Sequence, residues 1–160
     1  MPYYVIAHAG PLTAQHRDAL AATITKIHTT LFTTPSLFVN VKFEDVSAAS
    51  YYVGGRRAQV NTIHANVRTG SSRPRSAYDE LCRQLRAAWE ELLPSSTPLH
   101  AVFVHGSLVA GEEQGFLRPE AGNDAEWVRV NMPEFEKRAA AGNEDMKLLV
   151  EECKTRGLGV

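Results

Sequence analysis

The chain has 160 residues, enough for one domain with its own core or for two short fused repeats. Its net charge of -1 provides no long-range field for nucleic acid or an anionic membrane, so neither is expected as a partner. No segment approaches the ~18 apolar residues of a membrane span, and no signal segment is expected at the start. Cys82 and Cys153 lack disulfide or redox spacing, which predicts reduced thiols in a cytoplasmic protein.

The first third of the chain predicts a β-α-β unit followed by a hairpin arm. A short strand over residues 3–8 leads to a helix with Thr13 as its candidate N-cap. That helix ends at residues 33–35, where a proline follows two threonines. A strand with alternating side chains is predicted over 37–46, and the glycine pair at 54–55 predicts the turn of the hairpin arm.

The next fifty residues repeat this pattern. Residues 61–68 alternate again, and Arg68 ends this strand on its polar face. Ser76 is a candidate cap for an amphipathic helix that ends before residues 94–98. A further strand over 100–105 completes a second β-α-β unit.

Together the two units predict an α/β (α+β) fold made of fused β-α-β repeats, one over about 2–57 and the other over about 58–110. Strands joined through a helix should be parallel, which gives a four-stranded sheet of mainly parallel pairs with two helices on one face. The strands are half polar, so we expect water or another subunit on the other face. His64 and His105 are assigned to this polar face.

Residues 111–160 predict a C-terminal extension made of a loop and a helix. The loop over 111–124 is rich in glycine, proline and acidic residues, and Trp127 is a candidate anchor for it. A helix is predicted over about 144–156. No linker separates this extension, so residues 1–160 are expected to form a single domain.

Pro2 is a candidate acid–base residue if Met1 is removed, as is usual before a small residue. Removal would leave a secondary amine, and an ordinary α-amino group has a pKa of about 7.7–8.0. Burial and nearby cations would lower that pKa. Such an amine can act as a general base when free and as a general acid when protonated.

Several other side chains are candidates for binding a small anion. Arg68, Arg73 and Arg75 surround a Gly-Ser loop, and a pair of guanidinium groups suits a carboxylate. His28 lies at the edge of the apolar face of the first helix. The residues alone are also consistent with a solvated basic loop and a boundary histidine. Motifs for phosphate, metal and nucleophile sites are missing from the sequence, so no cofactor and no metal are expected.

The Met-Pro start, the fused repeats and the polar strand ending in arginine resemble the tautomerase superfamily. More narrowly, the chain resembles cis-3-chloroacrylic acid dehalogenase and its fungal, oxalocrotonate tautomerase-like relatives from Pro2 to about Trp127. The strings that carry this likeness are Ile24-Thr25-Lys26-Ile27-His28, Tyr52-Val53-Gly54-Gly55, Thr62-Ile63, Arg68 with Gly70, Gly115-Phe116-Leu117, Pro119 and Glu126-Trp127.

The resemblance implies roles for individual residues. Pro2 matches the proton-transferring proline of the family, and His28 matches its histidine. Arg68 matches the first arginine of the carboxylate site. Arg73 is matched to the second arginine, with Arg75 as the alternative because the loop here is longer.

Two further positions decide which reaction the resemblance implies. Glu113 is matched to the water-activating glutamate, with Glu112 as the alternative. Phe103 stands where the dehalogenase has a tyrosine, so it can line a substrate but has no hydroxyl to assist water. Tautomerisation needs only the amine and a carboxylate clamp, and it survives this change.

The resemblance therefore implies a cofactor-free tautomerase or isomerase acting on small unsaturated or 2-keto carboxylates. It also implies a homotrimer in which the polar strand faces meet around a central axis. One alternative is a cis-3-chloroacrylate-type dehalogenase or hydratase. The other is a non-catalytic trimeric binding protein of the same fold, as in the macrophage migration inhibitory factor branch.

Overall fold

A computed structural model describes residues 2–159 of the chain. No helix in this range is long and apolar enough to cross a membrane. The elements in chain order are β1 (Tyr3–His8), α1 (Ala14–Phe32), β2 (Asn40–Asp45), β3 (Tyr51–Val53), β4 (Arg56–Ala58), β5 (Asn61–Asn66), α2 (Arg75–Leu92), β6 (Leu99–His105), β7 (Glu112–Glu113), β8 (Phe116–Leu117), α3 (Asp124–Ala140) and α4 (Glu144–Arg156).

Four strands form a mixed sheet in the order β2-β1-β5-β6. Within it β1 pairs in parallel with β2, and β5 pairs in parallel with β6. The two pairs meet where β1 runs antiparallel to β5, with Tyr3 opposite Asn66. The predicted sheet of two parallel pairs is confirmed, and β3 and β4 form the predicted hairpin arm.

Helices α1 and α2 cover one face of this sheet and form the main core with it. Thr13 caps α1 as predicted, because its side-chain oxygen accepts a hydrogen bond from the His16 amide at 3.1 Å. Alternate residues of β1 and β5 point into this core. The fully buried side chains at its centre are Tyr4, Ile6, Leu20, Ile24, Ile63, Ala65, Leu81 and Leu85.

Two predicted element boundaries are wrong. Helix α2 begins at Arg75 with Pro74 as its N-cap, so Ser76 lies inside the first turn rather than capping it. The second predicted strand starts later than residue 37, because residues Ser36–Phe38 form a 3-10 turn and β2 begins at Asn40. In both cases a proline just before the element fixes the local backbone.

The C-terminal extension contains one helix that the sequence interpretation missed. Residues 124–140 form α3, and Trp127, Val128 and Phe135 lie on its buried face. The preceding segment is not one loop, since β7 and β8 pair within it as a short hairpin. Helix α4 forms as predicted. These elements enclose a second hydrophobic cluster of Phe38, Phe116, Trp127, Val128, Phe135, Met146, Leu149 and Cys153.

Helix α4 is fastened to the segment that links α1 to β2. The Ser36 amide donates to both carboxylate oxygens of Glu152 at 3.0 Å. Arg156 donates from Nη2 to the Thr29 carbonyl at 2.8 Å and from Nη1 to the Thr34 carbonyl at 3.3 Å. The extension therefore fixes the backbone around Thr34, beside the candidate site.

Candidate active site

One edge of the sheet gathers the segments that carry the predicted site residues. Because β1 is antiparallel to β5, Pro2 at the beginning of β1 lies near the end of β5, where the chain continues to Arg68. Because β1 is parallel to β2, the beginning of β2 lies at the same edge. The Asn40 amide donates to the Pro2 carbonyl at 3.2 Å. The C-terminal end of α1, which leads into β2, reaches this edge as well.

Pro2 is buried at this edge. Met1, whose removal would free the Pro2 amine, lies outside the described residues. Strand β1 begins immediately after Pro2, so the sheet holds the proline ring in a fixed place.

His28 is buried in the wall of the site and is 1% exposed. Its Nδ1 atom lies 2.7 Å from the hydroxyl of Tyr4, whose pKa is raised by burial. Burial lowers the pKa of His28 well below its ordinary value of 6.5, and the nearby charges of Arg73 and Arg68 lower it further. The ring is therefore neutral. If the Tyr4 hydroxyl donates to Nδ1, the Nε2 atom carries the ring proton and can donate to a ligand.

Arg68 is buried, contrary to its predicted place on the polar sheet face. Strand β5 ends at Asn66, so the alternation of side chains does not extend to Arg68. The Arg68 guanidinium lies instead beneath the extension, only 7% of the residue being exposed. Its Nη2 atom donates to Asp124 Oδ1 at 2.7 Å, and its Nη1 atom donates to the carbonyls of Pro119 and Glu120 at 2.8 and 3.1 Å.

Arg73 joins the same buried cluster. Its Nη2 atom lies 3.4 Å from Asp124 Oδ2, and its guanidinium carbon lies 4.5 Å from the centre of the Phe32 ring. Arg75 is exposed and pairs with Asp79 on the surface of α2. Of the two candidates for the second arginine, the structure therefore places only Arg73 beside Arg68.

The two candidate glutamates point to different places. Glu113 Oε1 accepts a hydrogen bond from Asn40 Nδ2 at 2.9 Å, next to Pro2. Glu113 Oε2 is buried and has no partner in the described part of the chain. Glu112 is exposed and accepts from the Gly115 amide within the β7–β8 turn. The placement thus favours Glu113 as the site residue.

Phe103 lies away from these residues, on the opposite face of the sheet. It pairs with His64 across β5 and β6, and its ring is 5.3 Å from the His64 ring. His64 stacks on His105 with ring centres 5.3 Å apart, as expected for the polar face. Phe103 is 42% exposed there. Within one chain the structure does not bring Phe103 together with His28.

Arg118 is a site residue that the sequence interpretation missed. Its Nε, Nη1 and Nη2 atoms are all buried without a hydrogen-bond partner among residues 2–159. The guanidinium carbon lies 4.3 Å from the centre of the Phe38 ring and 4.6 Å from that of Trp127. Burial, followed by the charge of Arg68, lowers the pKa of Arg118 to about 10. The only local signal is an arginine in an acidic loop, and no periodicity marks it.

The charges gathered at this edge do not cancel. The three arginines outnumber the two nearby carboxylates, and the neutral His28 ring contributes no charge. A small anion would balance the remaining positive charge. The groups counted are Arg68, Arg73 and Arg118 against Asp124 and Glu113.

A cleft of about 600 Å³ lies beside Arg68 and Arg118. Pro2, His28, Arg73 and Glu113 do not line it. The rest of its lining is formed by residues 69–71, 106, 108–111, 117 and 119–121. Its size suits a small organic acid.

Comparison with known proteins gives a family and a fold for this chain. Residues 1–132 match the family described as "Putative oxalocrotonate tautomerase enzyme". The crystal structure of N1, a member of the cis-3-chloroacrylic acid dehalogenase family, is 26% identical with a TM-score of 0.65, over 87% of this chain and 99% of that chain. A search of curated proteins finds no match.

Two further structures show the same fold. A protein from the thermophilic fungus Aspergillus fumigatus is 21% identical with a TM-score of 0.64, over 84% of this chain and 94% of its own. A fused 4-OT protein, solved as an asymmetric trimer, is 16% identical with a TM-score of 0.59, over 72% of this chain and 94% of its own. Because the family match covers most of the chain, the protein belongs to the tautomerase superfamily, in the oxalocrotonate tautomerase-like family.

Proposed function

We propose that this chain, once Met1 is removed, is a cofactor-free tautomerase acting on small unsaturated or 2-keto carboxylates. One observation carries the proposal: Pro2 is buried at the sheet edge where the neutral His28 ring and three buried guanidinium groups also lie. A buried secondary amine beside several cations is favoured in its neutral form, because burial and like charges both disfavour the ammonium ion. The neutral amine can then accept a proton.

The proposed reaction moves one proton between oxygen and carbon. In the enol-to-keto direction, the Pro2 amine takes the enol hydroxyl proton, and the resulting ammonium gives a proton to C3. The O–H bond breaks and its electron pair forms the C=O π bond, while the C=C π pair takes the proton and becomes the C3–H bond. The positive charge of the guanidinium cluster attracts the carboxylate and stabilises the negative charge on the enolate oxygen. His28 Nε2 offers one further hydrogen bond to this charge.

Phenylenolpyruvate ketonisation tests the proposal, with intact mass establishing that Met1 is absent. Replacing Pro2 by alanine is expected to lower kcat/KM by roughly 10²-fold, the usual weight of a positioned acid–base group. Pro11→Ala, at an exposed position, is the matched control and should keep the wild-type rate. Because alanine still leaves a primary amine at this position, equal rates for wild type and Pro2→Ala would refute a specific role for the proline.

A dehalogenase or hydratase activity is the second candidate, and the free Glu113 Oε2 atom favours it. This oxygen is a spare acceptor next to Asn40 and could orient a water molecule. Phe103 has no hydroxyl to assist, which makes tautomerisation the first choice. Halide release from cis-3-chloroacrylate at a rate that Glu113→Gln abolishes would establish the second activity. Absence of both activities would favour a non-catalytic trimeric binding protein.

A further inference from the structure

Asp124 already occupies the space between the two arginines that the family resemblance assigns to the substrate. Its Oδ1 atom accepts from Arg68 at 2.7 Å and from Thr34 Oγ1 at 3.3 Å. Its Oδ2 atom lies 3.4 Å from Arg73 Nη2. A carboxylate bridging two guanidinium groups is the arrangement that a bound organic acid would make there. Arg68 and Arg73 are therefore satisfied by an acid from the chain itself.

Arg118 presents the opposite case, a buried guanidinium with every donor unused. Two aromatic rings, Phe38 and Trp127, contact it and favour a cation but accept no conventional hydrogen bond. The Trp127 indole N–H donates to the Leu117 carbonyl at 2.7 Å, which holds the hairpin strand directly before Arg118. A buried charge whose donors have no partner is unfavourable unless an anion joins it.

Glu113 supplies a complementary group with one free oxygen. Arg118 and Glu113 are near enough to influence each other electrostatically, yet no nitrogen–oxygen pair within 4.0 Å joins them among the described residues. A ligand that satisfies both must carry acceptors at one end and a hydrogen-bond donor at the other. A carboxylate with a hydroxyl on the neighbouring carbon has this pattern, and the enol form of a 2-keto acid is one such compound.

We infer that Arg118 binds the substrate carboxylate, that Glu113 accepts from the substrate 2-hydroxyl, and that Asp124 holds Arg68 and Arg73 as the frame of the pocket. This inference rests on the proposed function and names the substrate class as 2-enol or 2-hydroxy carboxylates. It assigns Arg68 and Arg73 to positioning rather than to direct contact with the carboxylate.

Binding to the Pro2→Ala variant separates this inference from the chemistry, because no turnover is required. Calorimetry with phenyllactate as the probe should show a Kd at least ~10-fold higher when Arg118→Met is added, as expected for loss of a charged hydrogen-bond partner. Arg129→Met, which removes an exposed arginine, is the control and should leave Kd unchanged. A Kd within twofold of the parent for Arg118→Met would overturn the inference.

A second comparison tests the contact that we assign to the hydroxyl group of the ligand. Phenyllactate should bind at least ~5-fold more tightly than phenylacetate, which lacks the hydroxyl, because a buried acceptor would otherwise stay unpaired. Glu113→Ala should remove most of this difference between the two acids. Equal affinity for the two acids in the parent would overturn the assignment of Glu113.

Thermal unfolding distinguishes binding from a structural role. Removing the unpaired Arg118 charge with Arg118→Met should raise Tm by roughly 2–4 °C, whereas Arg73→Met should lower it because Asp124 loses a partner. A lowered Tm for Arg118→Met with unchanged phenyllactate affinity would show a purely structural arginine. If Arg118→Met does not fold, Arg118→Lys keeps the charge but loses the planar fork, and should still weaken phenyllactate binding. Wild type without tautomerase activity but with Arg118-dependent binding would reject only the proposed reaction.

Discussion

Arg68 Nη2 lies 2.7 Å from Asp124 Oδ1, and the two buried side chains join the second repeat to the C-terminal extension across 56 residues of sequence. This ion pair has little access to water, which distinguishes it from the surface pairs along the helices. The main effect of the Asp124 carboxylate is to balance the positive charges of Arg68 and Arg73 inside the fold.

Asp124→Asn should therefore be strongly destabilising. The change leaves Arg68 and Arg73 buried beside a neutral amide, which costs about 3–5 kcal/mol of the free energy of unfolding. Urea denaturation measures this loss. Asp79→Asn breaks the exposed pair with Arg75 and serves as control, with little change expected in the free energy of unfolding. Similar losses in the two variants would contradict the buried role of Asp124.

His28 should make the protein less stable in mild acid. Its pKa in the folded state is well below 6.5, because burial disfavours the charged ring, whereas the unfolded chain takes up the proton near pH 6.5. Below that pH the unfolded state binds more protons, so the free energy of unfolding falls as pH decreases from about 7 towards 5. Above pH 7 this contribution is fully present.

The test compares wild type with His28→Gln, which cannot titrate. The variant should show a flatter dependence of the urea midpoint on pH between about 7 and 5. His64→Gln is the control, since burial lowers the pKa of His64 as well but its ring is half-exposed. Parallel pH profiles for wild type and His28→Gln would show that His28 does not carry this effect.

The repeats were predictable because their signals are local. Alternation along β1, β2 and β5 and the apolar stripes of α1 and α2 need only neighbouring residues, and these gave the sheet of two parallel pairs. Helix α3 was missed because Pro133 interrupts its pattern and its apolar residues are spaced widely. Its buried face is defined by contacts with Phe38, which lies far away in the sequence.

The site was only partly predictable for a similar reason. Pro2, His28 and Arg73 were proposed through the family likeness, and the topology brings them to one sheet edge. Arg118 has no periodic pattern, and its surroundings exist only after the hairpin and α3 have packed. The burial of Arg68 depends on a strand end two residues earlier than the alternation suggested.

The polar sheet face should mediate a homotrimer. Phe103 is 42% exposed there beside the His64–His105 stack, an apolar ring on a surface that the helices do not cover. Phe103→Asp should dissociate the assembly, because three buried carboxylates would repel one another and lose hydration. Sedimentation velocity measures the change, with Leu148→Asp on the exposed side of α4 as control. A monomeric wild type would reject the trimer.

Arg156→Ala should loosen the wall of the site from a distance. It removes the hydrogen bonds to the carbonyls of Thr29 and Thr34, and the expected loss is about 1–2 kcal/mol of unfolding free energy. KM for phenylenolpyruvate should rise several-fold with kcat nearly unchanged, since Thr34 borders the arginine cluster. Lys154→Ala, in an exposed pair on the same helix, is the matched control. An unaltered KM in Arg156→Ala would show that α4 does not influence the site.

Because the buried residues form two separate hydrophobic clusters, we expect the molecule to open in parts. The main core holds β1 and β5, whereas α3 and α4 pack into the second cluster, and Asp124 and Trp127 reach the site from that second unit. Amide hydrogens of α3 and α4 should therefore exchange with solvent together and earlier than those of β1 and β5. Each local opening of α3 and α4 removes the Asp124 carboxylate from Arg68 and the Trp127 ring from Arg118. The exchange protection of α3 consequently measures the fraction of molecules in which the pocket is complete.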